Sequence, residues 1–210
     1  MRQKPKRSPV YKLILFTVTL AALYGGYHWG NKYSSYYVQT LNLHLMQTPL
    51  ELETFQLTDQ HKQPFGNQRL EGHWSLVIFG YSNSEQTARE MLTLAIRVHN
   101  RLADTPDLQK RMQTVFVTVD PKRDTVEVLA PFIDHFSSDF IALTGEESEI
   151  RNLAKQLGVV YQARSSAADA VIDHSTSMAL IDPDGELTGL FKGRVSATEM
   201  AADIKTVAAR

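Results

Sequence analysis

The 210 residues carry 22 Lys and Arg against 23 Asp and Glu, a formal charge of −1, with 43% hydrophobic residues and no cysteine. The lack of cysteine excludes disulfides, thiolate metal ligands and thiol redox catalysis, and the balanced charge argues against a nucleic-acid partner. The length suits one domain of ordinary size plus an appendage.

The appendage is visible at the start. Arg2, Lys4, Lys6, Arg7 and Lys12 precede an apolar run from Leu13 to Trp29 that holds no Asp, Glu, Lys or Arg. About 20 residues cross a bilayer core, so Val10 to Trp29 suffices if Lys12 snorkels and Tyr24, Tyr27 and Trp29 form an interfacial belt. A cleavable signal peptide would end in a small-x-small site, where this chain has aromatic residues. The expectation is a basic cytoplasmic tail at 1–12, a single transmembrane anchor at 13–29 and a tether at 30–50. The domain at 51–210 is then exported, which in a bacterium means attachment to the inner membrane and a periplasmic location. The alternative is a buried core helix of the same composition. Setting aside the five basic residues leaves 17 Lys and Arg against 23 Asp and Glu, a formal −6 for the remainder.

Beyond the tether, Phe55 to Thr58 and Pro64 to Gly66 predict a small hairpin at a sheet edge. Ser75 to Phe79 is apolar almost throughout, the pattern of a strand buried on both faces. Asn83 with Gln86 resembles a capping box, and Met91, Leu92, Ala95, Val98 and Leu102 repeat at helical spacing after it. Thr114 to Val119 predicts a second buried strand. Asp124 with Glu127 and Thr144 with Glu147 read as further helix starts, with inner faces at Val128, Leu129, Phe132, Ile133 and Phe136, and at Ile150, Leu153, Ala154 and Leu157. Val159 to Tyr161 reads as a short strand, and Gln162 to Ala170 as an Ala/Ser-rich mobile loop. Asp182-Pro183-Asp184-Gly185 turns Thr176 to Ile181 back into Leu187 to Phe191. Ser196 with Glu199 caps a last helix carrying Met200, Ile204 and Val207. A β-α-β start and a β-β-α end predict an α/β, thioredoxin-like fold.

A buried strand, a polar turn and a helix start at Leu76 to Glu90 is where thioredoxin-like folds place reactive thiols, since the helix dipole lowers a thiol pKa there. Phe79-Gly80-Tyr81-Ser82-Asn83-Ser84, Val119-Asp120-Pro121-Lys122-Arg123-Asp124-Thr125, and Ile172-Asp173-His174 followed by Asp182 to Glu186 together resemble the SCO/SenC family of copper-handling cytochrome oxidase assembly proteins. The resemblance runs from about Glu53 to Ala209. In that family two cysteines of the turn and a distant histidine bind copper. Carried over, the cysteines fall on Ser84 and Ala88 and the histidine on His174, so only the histidine is kept.

One imidazole holds copper poorly, and soft Cu(I) favours thiolate or thioether ligands. Asp173, Asp120 and Asn83 form an oxygen-rich set better suited to Cu(II) or Zn(II), while Met178 lies on the strand after His174. Alternatively, His174 hydrogen-bonds its own loop. Asp120, held out of the helical region by Pro121, suits either a ligand orienter or a turn acceptor. Ser84 with His174 as base would make a nucleophile, but no G-x-S-x-G elbow is present. The resemblance therefore implies a respiratory oxidase assembly protein that is not an enzyme and carries no cofactor. It would act by binding an oxidase subunit or assembly factor, with Tyr81 as an aromatic anchor. Copper delivery through a rebuilt site around His174 is the alternative.

Overall fold

A computed structural model describes residues 9–33, 41–83, 87–159, 161–163, 172–174 and 177–210. Two compact units divide near Thr40. The first is helix α1, Pro9–Tyr33, whose apolar residues are spread around its axis rather than gathered on one side. Among the described residues no helix is long and apolar enough to cross a membrane.

The second unit is an eight-stranded sheet with helices on both faces. Its strands are β1 Leu43–Glu51, β2 Gln56–Asp59, β3 Pro64–Gly66, β4 Trp74–Gly80, β5 Met112–Thr118, β6 Ile141–Thr144, β9 Met178–Ile181 and β10 Glu186–Phe191. A separate pair is made by β7 Tyr161–Ala163 and β8 Ile172–His174. The sheet order is β1-β10-β9-β4-β5-β6-β2-β3, with β4, β5 and β6 parallel and the other pairings antiparallel. The helices are α2 Thr87–Arg101, α3 Pro106–Arg111, α4 Val126–Asp134, α5 Glu147–Gln156 and α6 Ala197–Ala208. This is the expected thioredoxin-like arrangement.

Period-two alternation along β4 divides the core. Trp74, Leu76 and Ile78 pack with α2, α4 and α6, while Val77 and Phe79 pack with α5 and the β2–β3 hairpin. Every residue of β4 is buried, which is why its sequence shows no polar alternation. The α2 residues expected to face inward are all buried, and so are those expected of α5 and α6. Ser196 and Glu199 form the expected capping box. Gly185, at φ +80°, closes the β9–β10 turn in the left-handed region that glycine adopts without strain.

Several expectations need correction. The stretch 30–50 is not all tether: α1 runs to Tyr33, and β1 adds an edge strand to β10. A buried carboxylate anchors its start, Asp203 of α6 accepting from the backbone N–H of Asn42 (2.6 Å) and of Leu43 (2.9 Å). Asp124 does not cap α4, which starts after Thr125 with no side-chain cap bond. Thr144 does not cap α5; it ends β6 and Glu146 is the N-cap. Val128 is exposed, on the outer side of α4. The short strand lies at Tyr161–Ala163 rather than 159–161, and β6 and α3 were not expected at all. Of the expected loop at 162–170, Gln162 and Ala163 belong to β7 and the rest lies outside the described residues. Gln86 of the proposed capping box also lies outside them; α2 is described from Thr87.

Candidate functional site

Parallel β4 and β5 end side by side, and the turns after their carboxyl ends carry Tyr81 and Asp120. Gly80 pairs with Thr118 in register, and the Val119 N–H donates to the Gly80 carbonyl at 2.8 Å. The turn after β4 is then tied to the turn after β5 by one side chain. Asp124 is 1% exposed; its Oδ2 accepts from the Ser82 N–H at 2.9 Å and from the Thr118 hydroxyl at 2.6 Å, while its Oδ1 accepts from the Ser82 hydroxyl. Thr118 Oγ1 in turn accepts from the Asp120 N–H at 3.0 Å. A buried carboxylate is tolerated only when its lone pairs are occupied in this way, so the two turns are locked into one geometry.

Asp120 sits where expected, at the carboxyl end of β5. Its carboxylate is bound by the Arg123 guanidinium, which also lies 6.0 Å from the Tyr81 ring centroid. A positive charge on that carboxylate opposes a cation there, so Asp120 serves the turn. Tyr81, expected as an aromatic anchor or else packed under the loop, is 9% exposed and packs with Phe79 and Val119 in the core, which agrees with the second reading; among the described residues of the turn, Asn83 is exposed.

Ala88 lies in the first turn of α2, fully buried in the core on the other face of the sheet. The close approach of β4 to this helix explains it. A Cβ added at Gly80 would lie 3.2 Å from the Ala88 Cβ and 2.9 Å from the Phe116 ring, leaving room for glycine alone at that strand end. Ser84, the other position matched to a family cysteine, lies outside the described residues.

His174 ends β8, opposite Tyr161 of β7. Four residues later Met178 pairs with Ile78 near the carboxyl end of β4. Four residues span at most about 14 Å, which bounds the separation of His174 from Met178. The Tyr161 hydroxyl is buried without a hydrogen-bond partner among the described residues, and burial raises the Tyr161 pKa. Among the described residues no three His, Asp or Glu side chains stand close enough to hold a metal ion. The described part of the site does not fit a thiolate copper centre: Ala88 offers no donor atom and Asp120 is bound to Arg123. The Asp124 network is the feature sequence reasoning missed. Its signal was present, in a Ser after the strand-ending Gly-Tyr and an Asp six residues after a strand Thr, but the same Asp also fitted a helix cap.

A family model described as SCO1/SenC matches residues 45–209. The chain belongs to the SCO1/SenC family. It is 35% identical to an SCO2-like protein of Rickettsia prowazekii over 154 residues, covering 70% of this chain and 71% of that protein. The mitochondrial SCO1 homologue of Mus musculus is 29% identical over 205 residues, 96% of this chain and 72% of that protein. The copper-bound ScoI of Bradyrhizobium japonicum has the same fold, with a TM-score of 0.64 at 26% identity, covering 73% of this chain and 97% of that one. The cysteine-free turn of this family member is thus a departure built on a kept scaffold.

Proposed function

We propose that this chain is a membrane-anchored, periplasm-facing SCO1/SenC accessory protein of respiratory oxidase assembly. It acts by binding a protein partner, without enzymatic thiol chemistry and without cysteine-based copper. The observation that carries this reading is the pairing of a locked turn with a missing ligand: Asp124 fixes the turn through Ser82 and Thr118, while Ala88 has no donor. A turn held at Ser82 and without thiolate ligands suits the presentation of a fixed surface to a partner. Rigid surfaces bind with less lost conformational entropy than loose ones.

Membrane attachment belongs to the same reading. Its support is the basic segment before Leu13 and the apolar run 13–29, whose described members Ile14, Leu15, Phe16, Val18, Leu20 and Leu23 are all exposed on α1. Large apolar side chains exposed together along a helix favour an apolar surrounding. Five basic residues keep the amino terminus in the cytoplasm and direct the domain outward. A reporter enzyme active only outside the cytoplasm, fused after Arg210, should be active; an inactive fusion would overturn this topology.

The docking claim is tested by photo-crosslinking in native membranes from two exposed positions at opposite ends of β4, Asn83 beside the turn and Glu71 before the strand. Capture of an oxidase subunit or assembly factor from 83 and not from 71 is expected. Equal capture from both, together with normal oxidase assembly in a deletion strain, would overturn the proposal.

A further inference from the structure

A half-open groove of about 320 Å³ lies beside the start of α2, at the same end of β4 as the turn. Thr87, the first residue of α2, lines it, and Asn83 stands four residues earlier, at most about 14 Å away along the chain. Met178 of β9 and Phe191 of β10 line it too. These two pair with each other, and Met178 also pairs with Ile78 near the carboxyl end of β4. The groove therefore adjoins the turn proposed above for docking.

Its lining has the chemistry of a protein interface. Met91 and Met200 join Met178 and Phe191 as buried apolar members, and half-buried Leu94 adds to them. Methionine and arginine are enriched at interfaces, and a flexible thioether side chain re-packs around different shapes. The polar side of the groove carries Glu90 and Arg194. Glu90 is already engaged within the chain. Arg194 is exposed and has no hydrogen-bond, ion-pair or ring partner among the described residues, and the same holds for Lys192. Gly193 between them has φ +73° and nothing within 4 Å of where a Cβ would sit, so this loop stands clear of its neighbours. Two unpaired cations stand here on a chain that, without its basic amino-terminal residues, has 17 Lys and Arg against 23 Asp and Glu. An apolar pocket selects a large anchor side chain, and a cation beside it selects a carboxylate next to that anchor.

We propose that this groove receives a segment of the protein partner in which a large apolar side chain, of the Leu, Met or Phe class, lies within one helical turn of an Asp or Glu. The apolar side chain enters the groove and the carboxylate pairs with Arg194, with Lys192 adding to the positive field. The proposal rests on the docking reading above and supplies the partner chemistry which that reading leaves open. A protein segment suits a groove that is open on one side and part-polar, whereas a small-molecule pocket encloses most of its ligand.

The test places a photo-crosslinking residue at Leu94 of the full-length chain in native membranes, with Thr87 as a second position in case a probe at 94 disturbs packing, and Asn83 as the reference. Crosslinks from 94 and 87 should map to one segment of an oxidase subunit or assembly factor that holds such an apolar and acidic pair. Arg194→Glu alters an exposed loop residue and should leave the fold intact. Because like charges brought together at an interface are costly, it should lower capture from 94 about tenfold. Lys155→Glu, exposed on α5 at the opposite face of the sheet, should leave capture unchanged. Replacing the captured segment's carboxylate by Lys should restore capture by the Arg194→Glu chain, a rescue that a structural role of Arg194 would not produce. With capture from Asn83 intact, three results would overturn the groove and leave the docking reading standing: no protein capture from 94 and 87, crosslinks there only to lipid, a small apolar acid or a second copy of this chain, or capture indifferent to Arg194→Glu. Capture from none of the three positions would overturn both.

Discussion

Two ends of one short segment have met the absence of cysteine in different ways. At the turn after β4, polar groups converge: Ser82 and Thr118 donate to a buried Asp124, and Asn83 is left exposed above them. At the start of α2, only a few residues on, Ala88 is sealed into the apolar core against Gly80 and Phe116. The first region keeps a shape that needs specific partners, and the second keeps only packing. The turn is held by the fold's own hydrogen bonding at Asp124, which needs no ligand chemistry to form.

The sharpest way to break this comparison is at Asp124. Asp124→Ala leaves three donors without their acceptor in a buried setting, and unfolding in urea should show a loss of about 3 kcal/mol or more. Asp124→Asn keeps one acceptor oxygen and should cost less. A loss below about 1 kcal/mol for the alanine variant would show that the turn is held by something else. At Ala88 the expected penalty is steric. Ala88→Leu should destabilise by about 1–3 kcal/mol through overpacking, while Asn83→Leu in the exposed turn should stay within about 0.5 kcal/mol. Equal effects at the two positions would erase the contrast.

Another buried aspartate, Asp59 toward the far edge of the sheet, serves as a control away from this turn. Burial favours the neutral form of Asp59, but the Arg69 guanidinium at 2.6 Å and the backbone N–H groups of Gln63 and His61 outweigh it, so its pKa is lowered. A lowered carboxylate pKa contributes stability above the unfolded value of about 3.9 and loses it as pH falls toward the folded value. Acid unfolding below about pH 4 should therefore be less steep in Asp59→Asn than in the unsubstituted chain. Identical acid limbs would remove Asp59 from the account. The smallest effect is expected at Tyr161, whose hydroxyl has no partner among the described residues. Tyr161→Phe should leave stability unchanged or raise it by up to about 1 kcal/mol. A clear loss would mean that the hydroxyl bonds a group near His174.

Much of the scaffold was legible because its strands are unambiguous. The apolar run Ser75 to Phe79 read as a doubly buried strand, and the Asp182 to Gly185 turn pointed to the β9–β10 hairpin. Residues with two compatible roles were harder. Asp124, three residues before Glu127, imitated a capping box, and only the register of β4 against β5 shows that it reaches back to Ser82. Pro49 and the polar Gln47 and Thr48 hid β1, an edge strand whose outer side needs no apolar alternation. Tyr81, an aromatic in a polar turn, fits either a partner anchor or a packed side chain in sequence, and tertiary packing buries it.

The most direct test of the central claim, a kept SCO1/SenC scaffold that has lost its thiolate site, is competition for Cu(I) against a tight chelator. It compares the full-length chain with its Ser84→Cys/Ala88→Cys variant, each with and without His174→Ala. The account predicts that the unsubstituted chain fails to compete and the double variant competes strongly, with an affinity that falls when His174 is removed. Strong competition by the unsubstituted chain, or a double variant no better than it or indifferent to His174, would contradict it.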